Sequence, residues 1–198
     1  MSDAFLNALK DVVRTQQHLS LRPDSTFHLD EKPPATLNLL RLKCTGCGDV
    51  FAFTLDVRRG GAHVPLTNHT AKATTAKWNK VCDGVFVWRA EDGVLRILVC
   101  DLKSSSPSGS DWKHQLWSSA CFVKYLIDVV QRFHDGLLPE QKPIFHAVTF
   151  YGGSPLSGRN KRATGIRPGS GYPTSSLDSP ERMPVANGAN LMLKGFCQ

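Results

Sequence analysis

Asp101-Leu102-Lys103 closes the apolar run Val94-Leu95-Arg96-Ile97-Leu98-Val99-Cys100. On a strand, residues two apart share a face, so the carboxylate and the amine point the same way. Charges placed where an apolar side chain would serve are costly unless something satisfies them. A second carboxylate, Asp83, sits in the preceding run, Val81-Cys82-Asp83-Gly84-Val85-Phe86-Val87-Trp88. Two carboxylates and a lysine can hold a divalent cation and manage the charge of a reacting phosphate. The bland alternative is a solvated rim of charges at two strand ends.

The turn between the runs decides whether these groups meet. Glu91-Asp92-Gly93 suits a three-residue hairpin loop with glycine in the left-handed position. Ala90 then faces Val94, and Asp83 lies opposite Asp101 on one face, with Lys103 next along. A two-residue Asp-Gly turn would slip the register by one and set Asp83 opposite Leu102. The three-residue turn is the expectation.

After Asp-Leu-Lys comes a polar loop, Ser104 to Gly109, and then a helix opening at Ser110 or Asp111, either of which can cap it. The helix is expected from Trp112 to about Asp135, ended by Gly136. Trp112, Leu116, Ala120, Val123, Ile127 and Val130 form its apolar stripe, widened by Phe122, Leu126, Val129 and Phe133. Gln115 falls in its first turn. A further strand, Pro143 to Tyr151, comes next.

This order resembles the PD-(D/E)xK nuclease superfamily. In that pattern an aspartate starts one strand, D/E-x-K ends the next, and a helix with an early glutamine and a later tyrosine leads to another strand. The matching residues are Asp83, Asp101, Lys103, Gln115 and Tyr125, within about residues 50 to 151. Many members also carry an acidic residue on the first core helix. The first helix expected here, Asp3 to Ser20, offers Asp3, which reads as a cap, and Asp11, which reads as solvated.

The resemblance implies a restriction-endonuclease-like core and hydrolysis of phosphodiester bonds, with DNA the expected substrate. It implies Mg²⁺, replaceable by Mn²⁺, on Asp83 and Asp101 with the Leu102 carbonyl as a further ligand. Lys103 would orient the attacking water, and Gln115 would position the nucleophile or a phosphate oxygen.

Composition agrees. Lys and Arg number 24 against 17 Asp and Glu, a net charge of +7, which suits a polyanionic partner. Arg58 to Lys80 is a long basic loop without an acidic residue, containing Arg58, Arg59, Lys72, Lys77 and Lys80. Residues 152–184 are rich in Gly, Pro and Ser and carry Arg159, Lys161, Arg162 and Arg167; a flexible, nucleic-acid-binding segment with little core is expected there. The bland reading of both stretches is a solvated loop. No apolar run approaches membrane-span length and no signal peptide precedes the first helix, so no membrane partner and a cytoplasmic location are expected. A homo-oligomer is compatible with all of this.

Six cysteines are scattered along the chain. Cys82, Cys100 and Cys121 lie in apolar elements and read as reduced core residues. Cys44-Thr45-Gly46-Cys47-Gly48 separates two expected strands, Leu37–Leu42 and Val50–Val57. It could form a zinc knuckle completed by His63, His69 or Cys82, but a second Cys-x-x-Cys is missing and a glycine-containing hairpin turn is the preferred reading. Residues 21–35 read as a polar connection, and Ala189 to Phe196 as a returning edge strand.

The expected architecture is a single α/β domain over residues 1–198, with a mixed central sheet flanked by helices. Val85, Val87, Leu95, Ile97 and Val99 fall on one face of the aspartate hairpin, and Phe86, Trp88, Leu98 and Cys100 on the other. Strands apolar on both faces are usually covered on both. Against the nuclease stand two rivals: a non-catalytic nucleic-acid-binding module on the same fold, and a protein-interaction module built on a zinc knuckle.

Overall fold

The computed structural model describes residues 3–31, 35, 37–56, 58–59, 62–63, 80–134, 141–152 and 176–197. Along the chain come helix α1 (Ala4–Val12), strands β1 (Thr26–Asp30), β2 (Leu39–Lys43), β3 (Val50–Phe53), β4 (Arg58–Arg59), β5 (Ala62–His63), β6 (Gly84–Arg89) and β7 (Leu95–Lys103), helix α2 (Asp111–Phe133), and strands β8 (Ile144–Gly152), β9 (Glu181–Val185) and β10 (Ala189–Met192).

The chain is α/β. Its main sheet has the order β3-β6-β7-β8-β9. β3, β6 and β7 form an antiparallel meander; β8 and β9 add in parallel. The β6–β7 hairpin has the expected register, with Gly84 opposite Cys100 and Arg89 opposite Leu95. Its turn is the three-residue one: Ala90 N–H donates to the Val94 carbonyl at 3.0 Å, and Gly93 takes a φ of +79° that a side chain would disfavour.

Both faces of this sheet are covered, as the two-sided apolar pattern requires. Val85, Val87, Leu95, Ile97 and Val99 pack with α1 and with Trp112, Leu116, Ala120, Val123, Ile127 and Val130 of α2. Phe86, Trp88, Leu98 and Cys100 face the other way. That second face is covered by another sheet, not by helices: β1, β2 and β10, in the order β1-β2-β10, with Phe27, Leu29, Leu40, Leu42 and Leu191 turned inward. Among the described residues the two α-helices therefore lie on one side of this sheet, while Leu193 and Phe196 of the C-terminal 3-10 turn join the other.

α1 is amphipathic and buries Phe5, Leu6, Ala8 and Leu9. Asp3 caps it, accepting from the Phe5 and Leu6 N–H groups, and pairs with Arg89 at 2.7 Å, which ties the helix to β6. The helix ends at Val12 rather than Ser20, giving way to a single 3-10 turn at Thr15–Gln17. Asp11 is exposed, as expected. In α2, Phe122 and Val129 are only half-buried, and Phe133, 77% exposed, lies off the apolar face.

Other expectations are corrected. The stretch 21–35 contains β1. The end of 152–184 contains β9, whose Met183 and Val185 are buried, so this segment does contribute to the core. Pro184 is tolerated because β9 is an edge strand. The returning C-terminal run is an edge strand as expected, but it is parallel to β2 and ends in a 3-10 turn.

Gly152 lets β8 approach the residue after Lys103: a Cβ there would stand 2.8 Å from the Ser104 carbonyl oxygen. A backbone atom cannot step aside as a side chain can. Gly152→Ala is expected to destabilise by about 1–3 kcal/mol, measured as a lower denaturation midpoint in urea.

Candidate functional site

The hairpin register sets Asp83 opposite Asp101, one step beyond the last paired residues. Both side chains point to the helix-bearing face, with Lys103 next along β7. Asp101 is 1% exposed. Lys103 Nζ lies 2.7 Å from Asp101 Oδ2, an ion pair without well-angled hydrogen-bond geometry. Asp83 keeps some exposure at the strand end, and its Oδ2 accepts the Leu102 N–H at 2.6 Å. The carboxyls of Asp83 and Asp101 are close enough for the charge of Asp101 to act on Asp83.

Two carboxylates therefore share one ammonium. Burial, followed by the charge of Asp101, holds the Asp83 carboxyl well above the ordinary aspartate range; the Leu102 N–H works in the opposite direction. Asp101 is also raised by burial, although the Lys103 ammonium opposes this, and Glu31 adds a repulsive charge from the chain after β1. The surplus negative charge needs a proton or a cation. A divalent ion fits this donor set, because Mg²⁺ is commonly held by one or two carboxylates and keeps several waters. The Leu102 carbonyl leaves the strand on the same edge as its N–H, toward Asp83 and beyond the β6 ladder. Access lies on the side of Asp83 and Lys103, since Asp101 is sealed. Among the described residues, no group of three or more His, Cys, Asp or Glu side chains is arranged to hold a metal ion.

The segment leading into Asp83 is fixed by the first turns of α2. Gln115 Nε2 donates to the Val81 carbonyl at 3.1 Å, Ser119 Oγ accepts the Cys82 N–H at 2.8 Å, and Ser118 Oγ donates to the Lys80 carbonyl. Gln115 thus holds the backbone that presents Asp83. The two serines carry the same task, and sequence reasoning does not single them out; their positions three and four beyond Gln115, on one helix face, are the signal that could have found them. Tyr125 is 59% exposed and packs on Phe122, about 15 Å along the helix from Gln115 and away from the aspartates.

Thr149 is the β8 residue opposite Asp101. It is fully buried on the same face, and its hydroxyl has no hydrogen-bond partner.

The zinc reading finds no support in the described residues. Cys44 and Cys47 are buried and not joined in a disulfide; the Cys44 thiol donates to the Ser25 carbonyl at 3.1 Å. Cys82 lies in the opposite core, on the helix side of the main sheet. The side chains of His63 and the whole of His69 fall outside the described residues. Nor is the Cys-Thr-Gly-Cys segment a hairpin turn: β2 and β3 belong to different sheets, and the turn carries the chain from one to the other. Cys82 and Cys100 are buried as expected, whereas Cys121 is exposed.

Of the basic residues, Lys80 is exposed just ahead of Asp83. Arg58 and Arg59 form the short β4, which pairs with β5; their side chains, together with Lys72, Lys77, Arg159, Lys161, Arg162 and Arg167, lie outside the described residues. No described helix is long and apolar enough to cross a membrane.

No protein-family model, curated protein or solved structure matches the chain.

Proposed function

We propose that this chain is a metal-dependent nuclease with a restriction-endonuclease-like core, hydrolysing phosphodiester bonds of DNA. The observation that carries the reading is the meeting of Asp83, Asp101 and Lys103 on one face where β6 begins and β7 ends. Support comes also from the order in which the elements occur, α1, the β3-β6-β7 meander, α2 and a parallel β8, which fits the order the resemblance implies.

Asp83 and Asp101 would hold Mg²⁺ or Mn²⁺, with the Leu102 carbonyl beside them. When bound, such an ion supplies Lewis acidity toward the phosphate and lowers the pKa of water. The chain does the rest. The Leu102 N–H fixes the Asp83 carboxyl. Lys103, a third exposed, has its ammonium between Asp101 and solvent, where it orients the attacking water and neutralises charge on the phosphate. Gln115, Ser118 and Ser119 keep the Asp83 backbone in place.

Lys103→Ala removes the ammonium without removing a metal carboxylate. It is expected to lose cleavage by about two to three orders of magnitude, the scale of one preorganised charge-stabilising group, while still binding Mn²⁺ in a calorimetric titration. Cleavage at the wild-type rate in this variant sinks the assignment of Lys103. The non-catalytic alternative on the same fold keeps one specific observation in its favour: among the described residues no three His, Cys, Asp or Glu side chains are grouped to hold a metal ion. It requires DNA binding without Mg²⁺-dependent cleavage.

A further inference from the structure

The strand register carries the acidic row onward across the sheet. Asp101 is opposite Thr149, and Thr149 is opposite Arg182 on β9. Residues paired in register project to the same face. Asp83, Asp101, Thr149 and Arg182 therefore form one row on the helix-bearing side. Two strand spacings put the Arg182 backbone about 10 Å from that of Asp101.

Arg182 is exposed on the edge strand. Its Nη1 donates to the Pro107 carbonyl at 2.9 Å, in the loop that joins Lys103 to α2, and its guanidinium lies 5.8 Å from the centre of the Trp112 indole. Lys113 Nζ lies 5.5 Å from the same ring. Trp112 is a fixed platform: it is 5% exposed, and its indole N–H donates to the Gly109 carbonyl at 3.1 Å. Two cations thus gather on one ring at the first turn of a 23-residue helix. Helix N-termini disfavour positive charge. Asp111 supplies a single negative charge in that turn, and no described carboxylate forms an ion pair with Arg182. One of the five guanidinium N–H donors is engaged, which leaves a fork suited to phosphate oxygens. Between this cluster and Asp101 lies the Thr149 hydroxyl, buried without a partner. The arrangement is poorly satisfied as it stands and is completed by an anion.

We propose that Arg182, with Lys113 beside it, binds a phosphate of the strand being cut, adjacent to the scissile phosphate over Asp83 and Asp101. The inference rests on the nuclease reading and adds to it the course of the substrate strand, which runs across the sheet from β6 to β9. Arg182 is a binding residue; the loop contact to Pro107 is a single exposed bond that a neutral side chain can also make.

The test is binding of a fluorescein-labelled DNA duplex to the full chain in EDTA, across a salt series. Arg182→Ala is expected to weaken binding and to reduce the log–log salt slope by roughly 0.7 to 0.9, the change for one lost phosphate contact. Arg182→Gln, which can still donate to the Pro107 carbonyl, should show the same loss of slope, and Arg182→Lys should recover most of it. Wild-type binding with an unchanged slope in Arg182→Ala and Arg182→Gln overturns this inference and leaves the nuclease reading standing. A slope lost in the alanine variant but kept in the glutamine variant also overturns it, because the residue then acts by holding the loop. A wild-type chain that binds no DNA at any salt concentration overturns the DNA reading and this inference together.

Discussion

Asp101→Asn is expected to abolish Mg²⁺-dependent cleavage, by about three orders of magnitude or more, while leaving the fold intact. The amide has nearly the shape of the carboxylate, so the core around this 1%-exposed side chain is not reshaped. Only the charge changes. The pair of carboxylates becomes one, and the Lys103 ammonium, 2.7 Å from the carboxylate in the native chain, faces a neutral group. Removing a single preorganised charge-stabilising group commonly costs two to three orders of magnitude, and in the proposed site Asp101 would both contribute metal charge and hold Lys103. The check is cleavage rate alongside circular dichroism and a thermal melt. A folded Asp101→Asn chain that cuts at the normal rate shows that the aspartate is structural.

The second large effect concerns stability rather than rate, and its sign runs opposite to the usual one for aspartates. Asp83 and Asp101 bind a proton more tightly in the folded chain than in the unfolded one, because burial raises both and the Asp101 charge raises Asp83 further. Above the ordinary aspartate value of 3.8, the folded chain thus holds more protons than the unfolded chain. Their contribution is fully present below that value and is lost as pH rises through the folded values. Without metal, the melting temperature of the wild type should fall relative to Asp83→Asn as pH rises from 5 to 8. The variant, relieved of one buried charge, should melt higher at pH 8. Mg²⁺ should reverse the order. At a concentration about 100 times the dissociation constant it contributes about 2.7 kcal/mol to the wild type, or roughly 5–10 °C for a chain of this size. A variant without the second carboxylate should gain little. Calorimetric melts in EDTA and in Mg²⁺ at both pH values read all of this; a wild type that gains no more from Mg²⁺ than the variant argues against a metal at this pair.

Much of the site was legible because its determinants are local. Gly93 selects the three-residue turn, the turn sets the register, and the two-fold pleat then places Asp83, Asp101 and Lys103 on one face. The α2 stripe was readable for the same reason, from spacing alone. The second sheet was not. β1 shows only Phe27 and Leu29 as apolar residues between His28, Asp30 and a proline-bearing stretch, and it pairs with β2, which in turn pairs with a strand from the far end of the chain. Parallel pairing of β10 with β2 has no turn to announce it.

Arg182 was missed for a related reason. Charge is dense at Arg159–Arg162, whereas Arg182 is a lone basic residue between Glu181 and Met183, and only the parallel pairing of β8 with β9 brings it into the aspartate row. The Cys-x-x-Cys spacing misled in the opposite sense. It suggests a metal, but both residues are buried and the Cys44 thiol donates to the Ser25 carbonyl.

The central claim is that Asp83, Asp101 and Lys103 form a metal-dependent centre for phosphodiester hydrolysis. The most direct test is incubation of the purified chain with single- and double-stranded DNA in Mg²⁺ or Mn²⁺ and in EDTA, with Asp101→Asn purified in parallel to expose any contaminating nuclease. The expected result is cleavage by the wild type in divalent metal, none in EDTA, and none by Asp101→Asn. Binding without cleavage by the wild type in either metal, or cleavage that persists equally in EDTA and in the variant, would contradict it.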